Sequence, residues 1–266
     1  MGYSLRAGDL ALPLTVQEFM QNFDHAPVTI KQKVIERYGR DGGTITGDRR
    51  LASRKLRMTI ALRGLDDAEY DANSAALFAI VSRDDLYLYN DSLGYRLALS
   101  VNTITPKSEA YRRAEMWTLD AVCPDAAWET VAEQEIIDEY DEYTDGFIWE
   151  NNAEKTVNNS DPLDAWPVFE LTATSSNSEF AIVNVTTGAV IRVGESQFTE
   201  GVKITLDSRH GTAQLEATGE DPVDISQKIA DFTGFFALQP GENVLRYESN
   251  FGAVFARVTY RLRRPF

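Results

Sequence analysis

Few residues in this 266-residue chain can do chemistry: it has two histidines and one cysteine. His25 lies between a predicted helix and a predicted strand, and His210 lies in a predicted turn. Neither has H-x-x-x-H spacing, and Cys123 has no C-x-x-C partner, so no metal site is expected. Cys123 ends a predicted strand before Pro124 and reads as a small buried hydrophobe rather than as the thiolate of a dyad with His25. The Gly39–Gly43 stretch lacks the phosphate-loop spacing and opens no helix, and there is no G-x-S-x-G elbow. A glycosidase needs two carboxylates across a cleft; among 41 acids, spacing singles out no such pair. The eight acids between Glu133 and Glu150 lack the calcium-loop pattern. No catalytic residue, cofactor or metal ligand is assigned, and an enzyme is not expected. Arg49, Arg50, Arg54, Lys55 and Arg57 cluster without interleaved aromatics, which argues against a base-stacking platform. They are read instead as an assembly contact, whose guanidinium groups suit carboxylates on a neighbouring subunit.

The elements that would carry these residues are mostly strands. A capping pattern at Thr15 and Glu18 precedes Val16, Phe19, Met20 and Phe23 on one helical face, and Pro27 ends that helix. A glycine-rich polar stretch, Gly39–Arg54, reads as a long loop, ordered only on assembly. Leu56, Met58, Ile60 and Leu62 then alternate with Arg57, Thr59, Ala61 and Arg63, the period of a half-buried strand. The best helix is about Asp67–Ser82, capped at Asp66 and Glu69, with Tyr70, Ala76, Leu77, Ile80 and Val81 as its stripe. Strands are predicted at Leu86–Tyr89, Tyr95–Val101 and Ala114–Val122. The second half is read as all β: hairpin strands Phe180–Val185 and Ala189–Val193, then Val202–Asp207, Thr212–Ala217, Val244–Tyr247 and Val254–Leu262.

Charge is uneven. Residues 1–129 carry 16 Lys+Arg against 18 Asp+Glu, and residues 130–266 carry 10 against 23. Tight non-specific DNA binding by the second half is therefore disfavoured. Three zones follow: a first domain over 1–129, an acidic and polar linker zone over 130–165, and a second domain over 166–266. With one cysteine, no intrachain disulfide is possible. The opening Met1-Gly2-Tyr3-Ser4-Leu5-Arg6 lacks a signal-peptide pattern, and no apolar run reaches about 18 residues. Folding in a cytoplasm without membrane insertion is expected.

Several stretches, taken in order, resemble one family. The strand, glycine-rich loop, strand, helix and strands that end in Leu119-Asp120-Ala121-Val122-Cys123-Pro124-Asp125-Ala126-Ala127-Trp128 resemble the N-terminal domain of siphophage distal tail proteins. Trp166-Pro167-Val168-Phe169-Glu170-Leu171, Ile182-Val183-Asn184-Val185-Thr186-Thr187-Gly188 and Val202–Asp207 are similar to that family's galectin-like C-terminal domain. Its best signature is Phe235-Phe236-Ala237-Leu238-Gln239-Pro240-Gly241-Glu242-Asn243, where Asn243 can close a tight turn through its side chain. The fold expected is mainly β: an N-terminal β-sandwich-like domain with one main α-helix, then a galectin-like β-sandwich. The resemblance implies a structural virion protein that forms a homo-hexameric ring at the tail tip, assembled in the host cytoplasm. Its partners would be the tail tube protein, tail-tip or baseplate hub proteins and receptor-binding proteins, with DNA only passing through the lumen. A carbohydrate-binding module or adsorption protein is the alternative, with Trp149 and Trp166 stacking on a sugar.

Overall fold

Alternation of apolar with polar side chains commits a segment to a strand with one buried face, and strands make up most of the computed structural model. It describes residues 3–14, 33–36, 43–46, 53–63, 66–106, 114–136, 146–176, 179–194, 198–230, 234–250 and 252–265. The predicted helix over Thr15–Phe23, and His25, Arg49 and Arg50, lie outside the described residues. The chain divides into two compact units, Met1–Val131 (with Pro265–Phe266) and Ala132–Arg264.

The first unit contains β1 (Tyr3–Ala7), β2 (Leu10–Leu14), β3 (Lys33–Glu36), β4 (Gly43–Thr46) and β5 (Arg54–Arg63). Helix α1 (Asp67–Val81) follows, then β6 (Leu86–Asn90), β7 (Tyr95–Ala98), β8 (Ser100–Pro106), β9 (Ala114–Cys123) and β10 (Ala127–Thr130). One antiparallel sheet has the order β2-β1-β6-β7-β10, and a second has β5-β9-β8. The alternation read from Leu56 to Leu62 holds: all four apolar residues are buried, beside Leu119 and Ala121 of β9. Leu5, Leu88 and Leu97 of the first sheet join the same core.

Helix α1 begins where its capping residues put it. The Asp66 carboxylate accepts the Glu69 N–H at 2.8 Å, satisfying one of the first-turn donors left without helical partners. Leu77 and Ile80 are buried. Phe78, outside the predicted stripe, is half exposed and meets the edge of Trp117 at 5.4 Å between centroids.

The loop reading of Gly39–Arg54 needs correction in part. Gly43–Thr46 is a strand and pairs antiparallel with Lys33–Glu36, Val34 opposite Ile45. Thr44-Ile45-Thr46 is β-branched throughout and suits a strand, but three residues between glycines are too few to show a period.

The second unit is a two-sheet antiparallel sandwich. Its strands are β11 (Gln134–Glu135), β12 (Phe147–Trp149), β13 (Glu154–Asn159), β14 (Val168–Ala173), β15 (Phe180–Asn184), β16 (Ala189–Val193), β17 (Lys203–Asp207), β18 (Thr212–Glu216), β19 (Val223–Asp224), β20 (Gly241–Ser249) and β21 (Val254–Tyr260). One sheet runs β21-β14-β17-β18-β19, with β11 and β12 both on the outer edge of β21; the other runs β13-β20-β15-β16. Phe147, Trp149, Phe169, Phe180, Phe198 and Tyr247 fill the space between them.

Residues 130–165, read from the sequence as a linker, supply β11, β12 and β13 to this sandwich. Phe147 and Trp149 are fully buried, and Glu133 and Glu135 are bound by Arg261 at 2.7 Å and Arg257 at 2.9 Å. The high acid content hid an i, i+2 pair of aromatics that needed a core. Gly146, just before them, packs so closely that a Cβ there would lie 2.6 Å from the Ala256 carbonyl oxygen. Residues 137–145 lie outside the described residues.

Candidate functional site

The residue types that could do chemistry are put to structural use. Cys123 ends β9 in the core, and burial pushes its thiol up to about 12, only partly offset by the charge of Arg54. A reactive thiol needs the opposite shift. At pH 8, native protein is expected to resist iodoacetamide for hours and to take up one equivalent on unfolding in guanidinium. Rapid labelling of the native chain would overturn the assignment. Among the described residues, no group of three or more His, Cys, Asp or Glu is placed to hold a metal ion.

His210 is exposed, and its Nδ1 lies 2.6 Å from Asp207 Oδ2. Asp207 Oδ1 also accepts the N–H groups of Arg209 and His210. Burial raises the pKa of this carboxyl, but these hydrogen bonds outweigh it and hold the group below the ordinary range. The pair closes the turn between β17 and β18, so its geometry explains a turn rather than a reaction.

The predicted basic contact is divided by its strand. On β5, Arg54 faces inward and is buried, while Lys55 and Arg57 face outward. Arg57 sits opposite Asp120 of β9 and binds it with two hydrogen bonds, Nε at 2.6 Å and Nη2 at 3.2 Å. Its guanidinium holds the Asp120 carboxyl below the usual range, and Thr103 of β8 donates to the same carboxyl at 3.4 Å. The structure thus brings Arg57, Asp120 and Thr103 into one row across three strands. The pair is exposed, so it contributes no more than about 1 kcal/mol to stability.

A second row was not singled out from the sequence. On the outer face of the β1-β6-β7 sheet, the Arg6 guanidinium lies 4.4 Å from the Tyr89 ring centre, and that of Arg96 lies 4.5 Å from Tyr87. The two rings meet edge to face at 6.4 Å. Asp91 binds Arg6, and Glu129 lies 3.9 Å from Arg96. Ordered Tyr and Arg side chains are enriched where proteins meet proteins. The available signal was Leu86-Tyr87-Leu88-Tyr89, an alternation whose outward residues are both tyrosines.

In the second unit the signature turn is closed by a buried amide. Asn243 is fully buried; its Oδ1 accepts from the Gln239 N–H at 3.0 Å, and its Nδ2 donates to the carbonyls of Gln239 and Gly241 at 2.8 and 3.0 Å. Asn184, also buried, donates to Asn243 Oδ1 at 3.3 Å. Trp149 is enclosed and donates its Nε1 to the Ala153 carbonyl at 3.0 Å, so it offers no face to a sugar.

Comparison with known proteins gives the same direction for both units. Residues 162–263 match the family model described as "Siphovirus-type tail component, C-terminal domain". No curated protein sequence matches the chain. Among solved structures, the chain is similar to the Dit protein of phage SPP1, described as a paradigm of hub adsorption apparatus in phages that infect Gram-positive bacteria. The identity is 15%, the TM-score 0.65, and the match covers 98% of each chain. It is also similar to a chain of the phage P2 baseplate in its activated conformation with Ca, at 13% identity and a TM-score of 0.54, over 98% of this chain and 97% of that one. The same baseplate with Sr gives 13% identity and a TM-score of 0.53. Residues 162–263 thus match the C-terminal domain of a siphovirus-type tail component, and the chain shares its fold end to end with these tail-hub and baseplate structures.

Proposed function

We propose that this chain forms a six-membered ring at the distal end of a siphophage tail tube. There it joins the tube protein to tail-tip or baseplate proteins and to receptor-binding proteins. The observation that carries this reading is the length of the fold match: 98% of this chain corresponds to 98% of a protein described as a hub. On this reading the first unit is the ring-forming domain. Lys55 and Arg57 are the outward members of the proposed basic contact, with the Arg6, Tyr89, Tyr87 and Arg96 row as a second surface suited to protein. The acidic second unit is unsuited to grip phosphates, in keeping with DNA that passes through the lumen without being read.

Heterologous contacts close into rings when the rotation permits. Native mass spectrometry at high protein concentration is expected to show hexamers or stacked hexamers. A protein that stays monomeric both in solution and within purified tails would overturn the reading.

A further inference from the structure

The outer edge of β21 holds two short strands by different means. β12 is held by the core, since Phe147 and Trp149 are fully buried. β11 has two residues, Gln134 and Glu135, and both are only half-buried. The Ile136 N–H donates to the Val258 carbonyl at 3.0 Å, and Ile136 is the one buried side chain from Ala132 to Ile136. Two ion pairs add to this: Arg261 binds Glu133 at 2.7 Å, and Arg257 binds Glu135 at 2.9 Å. Arg257 also has a second carboxylate within reach, Glu170 of β14 at 3.9 Å, which is itself bound to Lys203 of β17 at 2.8 Å. Arg257 therefore keeps an anionic neighbour if Glu135 leaves, which lowers the cost of leaving. Segments with few buried apolar side chains open locally, at a fraction of the free energy that unfolds the whole domain.

We propose that Glu133–Ile136 is a strap, held on β21 mainly by charge, that opens and recloses while the rest of the sandwich stays folded. The inference stands on the second unit alone and does not depend on the ring. When the strap is closed, only residues 131–133 separate β10 from β11. When it is open, β12, which begins at Phe147, is the first strand that holds the chain to the sandwich. Opening removes the outer partner of β21 only at Thr259 and Tyr260, because Val254–Ala256 stay paired with β12. The second unit can thus lengthen its attachment to the preceding chain without exposing a buried aromatic. Salt separates the two anchors. Both ion pairs are partly exposed, and the range of a charge in water falls from about 10 Å at 0.1 M salt to about 3 Å at 1 M. The aromatic anchor of β12 carries no charge to screen.

Hydrogen exchange of the full chain, followed by mass spectrometry at about 0.1 M and about 1 M sodium chloride, compares Glu133–Ile136 with Phe147–Trp149. The strap is expected to exchange roughly tenfold faster than β12 at low salt. High salt is expected to speed the strap about threefold and to leave β12 unchanged. Arg257→Gln combined with Arg261→Gln is expected to speed the strap about tenfold at low salt and to remove its response to salt. Glu135 lies directly opposite Thr259, at a separation a disulfide can span. In the chain with Glu135→Cys and Thr259→Cys, oxidation is expected to slow the strap to the β12 rate, and reduction to restore fast exchange. A strap no faster than β12 in the wild-type chain opens only with the whole sandwich, which would overturn the proposal. A fast strap that ignores both salt and the loss of the two arginines is not held by charge, and that result would overturn it too. So would fast exchange that persists in the cross-linked chain.

Discussion

Trp149→Ala is expected to destabilise the second unit by about 4 kcal/mol, the middle of the range for removing a large buried aromatic. Trp149 is fully enclosed, 5.6 Å from the Phe147 ring and 5.9 Å from the Tyr247 ring. Alanine would leave a cavity between two sheets that cannot close without breaking the pairing of Trp149 with Val254. It would also leave the Ala153 carbonyl without its indole donor. For a unit of this size the loss corresponds to a fall of about 12–20 °C in its midpoint. Trp149→Phe keeps a ring among its neighbours and loses the hydrogen bond and some volume, so about 2 kcal/mol is expected. Calorimetry of the full chain measures both. A Trp149→Ala midpoint within a few degrees of wild type would show that residues 146–149 are not part of the sandwich core.

Asn243→Ala is expected to cost about 2–4 kcal/mol, because it removes three hydrogen bonds worth roughly 1 kcal/mol each from the turn and empties the space of a buried side chain. The Gln239 N–H and the carbonyls of Gln239 and Gly241 are all bonded to this amide. Gly241 has φ +92, a conformation that favours glycine, so the turn relies on the amide to hold it. Asn243→Asp is expected to be at least as damaging: a carboxylate cannot donate to the two carbonyls and would be a buried charge facing acceptors. Urea unfolding of the full chain, followed by tryptophan fluorescence, gives the order. An Asn243→Asp variant as stable as wild type would mean that the amide donors do not hold the turn.

Asn243 also shows where local sequence was enough. A Pro-Gly turn followed by Asn, after two phenylalanines and a leucine, is a short-range pattern, and the structure closes that turn with the expected side chain. Leu56–Arg63 is another such case, since one strand's burial follows from its own alternation. Helix α1 has its cap where Asp66 and Glu69 put it. The acidic zone is the opposite case. Glu133 and Glu135 look like solvated linker until Arg257 and Arg261, more than 120 residues later, are placed beside them. Phe147 and Trp149 look like isolated aromatics until β21 offers an edge. The basic cluster divides for the same reason: a strand turns Arg54 inward and Arg57 outward, and Asp120 from β9 decides what Arg57 binds.

By itself, the sequence determined what depends on neighbours along the chain: the predominance of strands, the capped helix, the turn at Gly241, and a scarcity of residues able to do chemistry. Tertiary structure alone decided what depends on residues brought together from afar. It enclosed Trp149, stacked Arg6 and Arg96 on two tyrosines, and, among the described residues, left β8 and β5 as opposite edges of one sheet. The reason is the nature of β structure. A strand's own residues set which face is buried, but its partners, its register and its position at the centre or the edge come from hydrogen bonds to segments that no local pattern identifies.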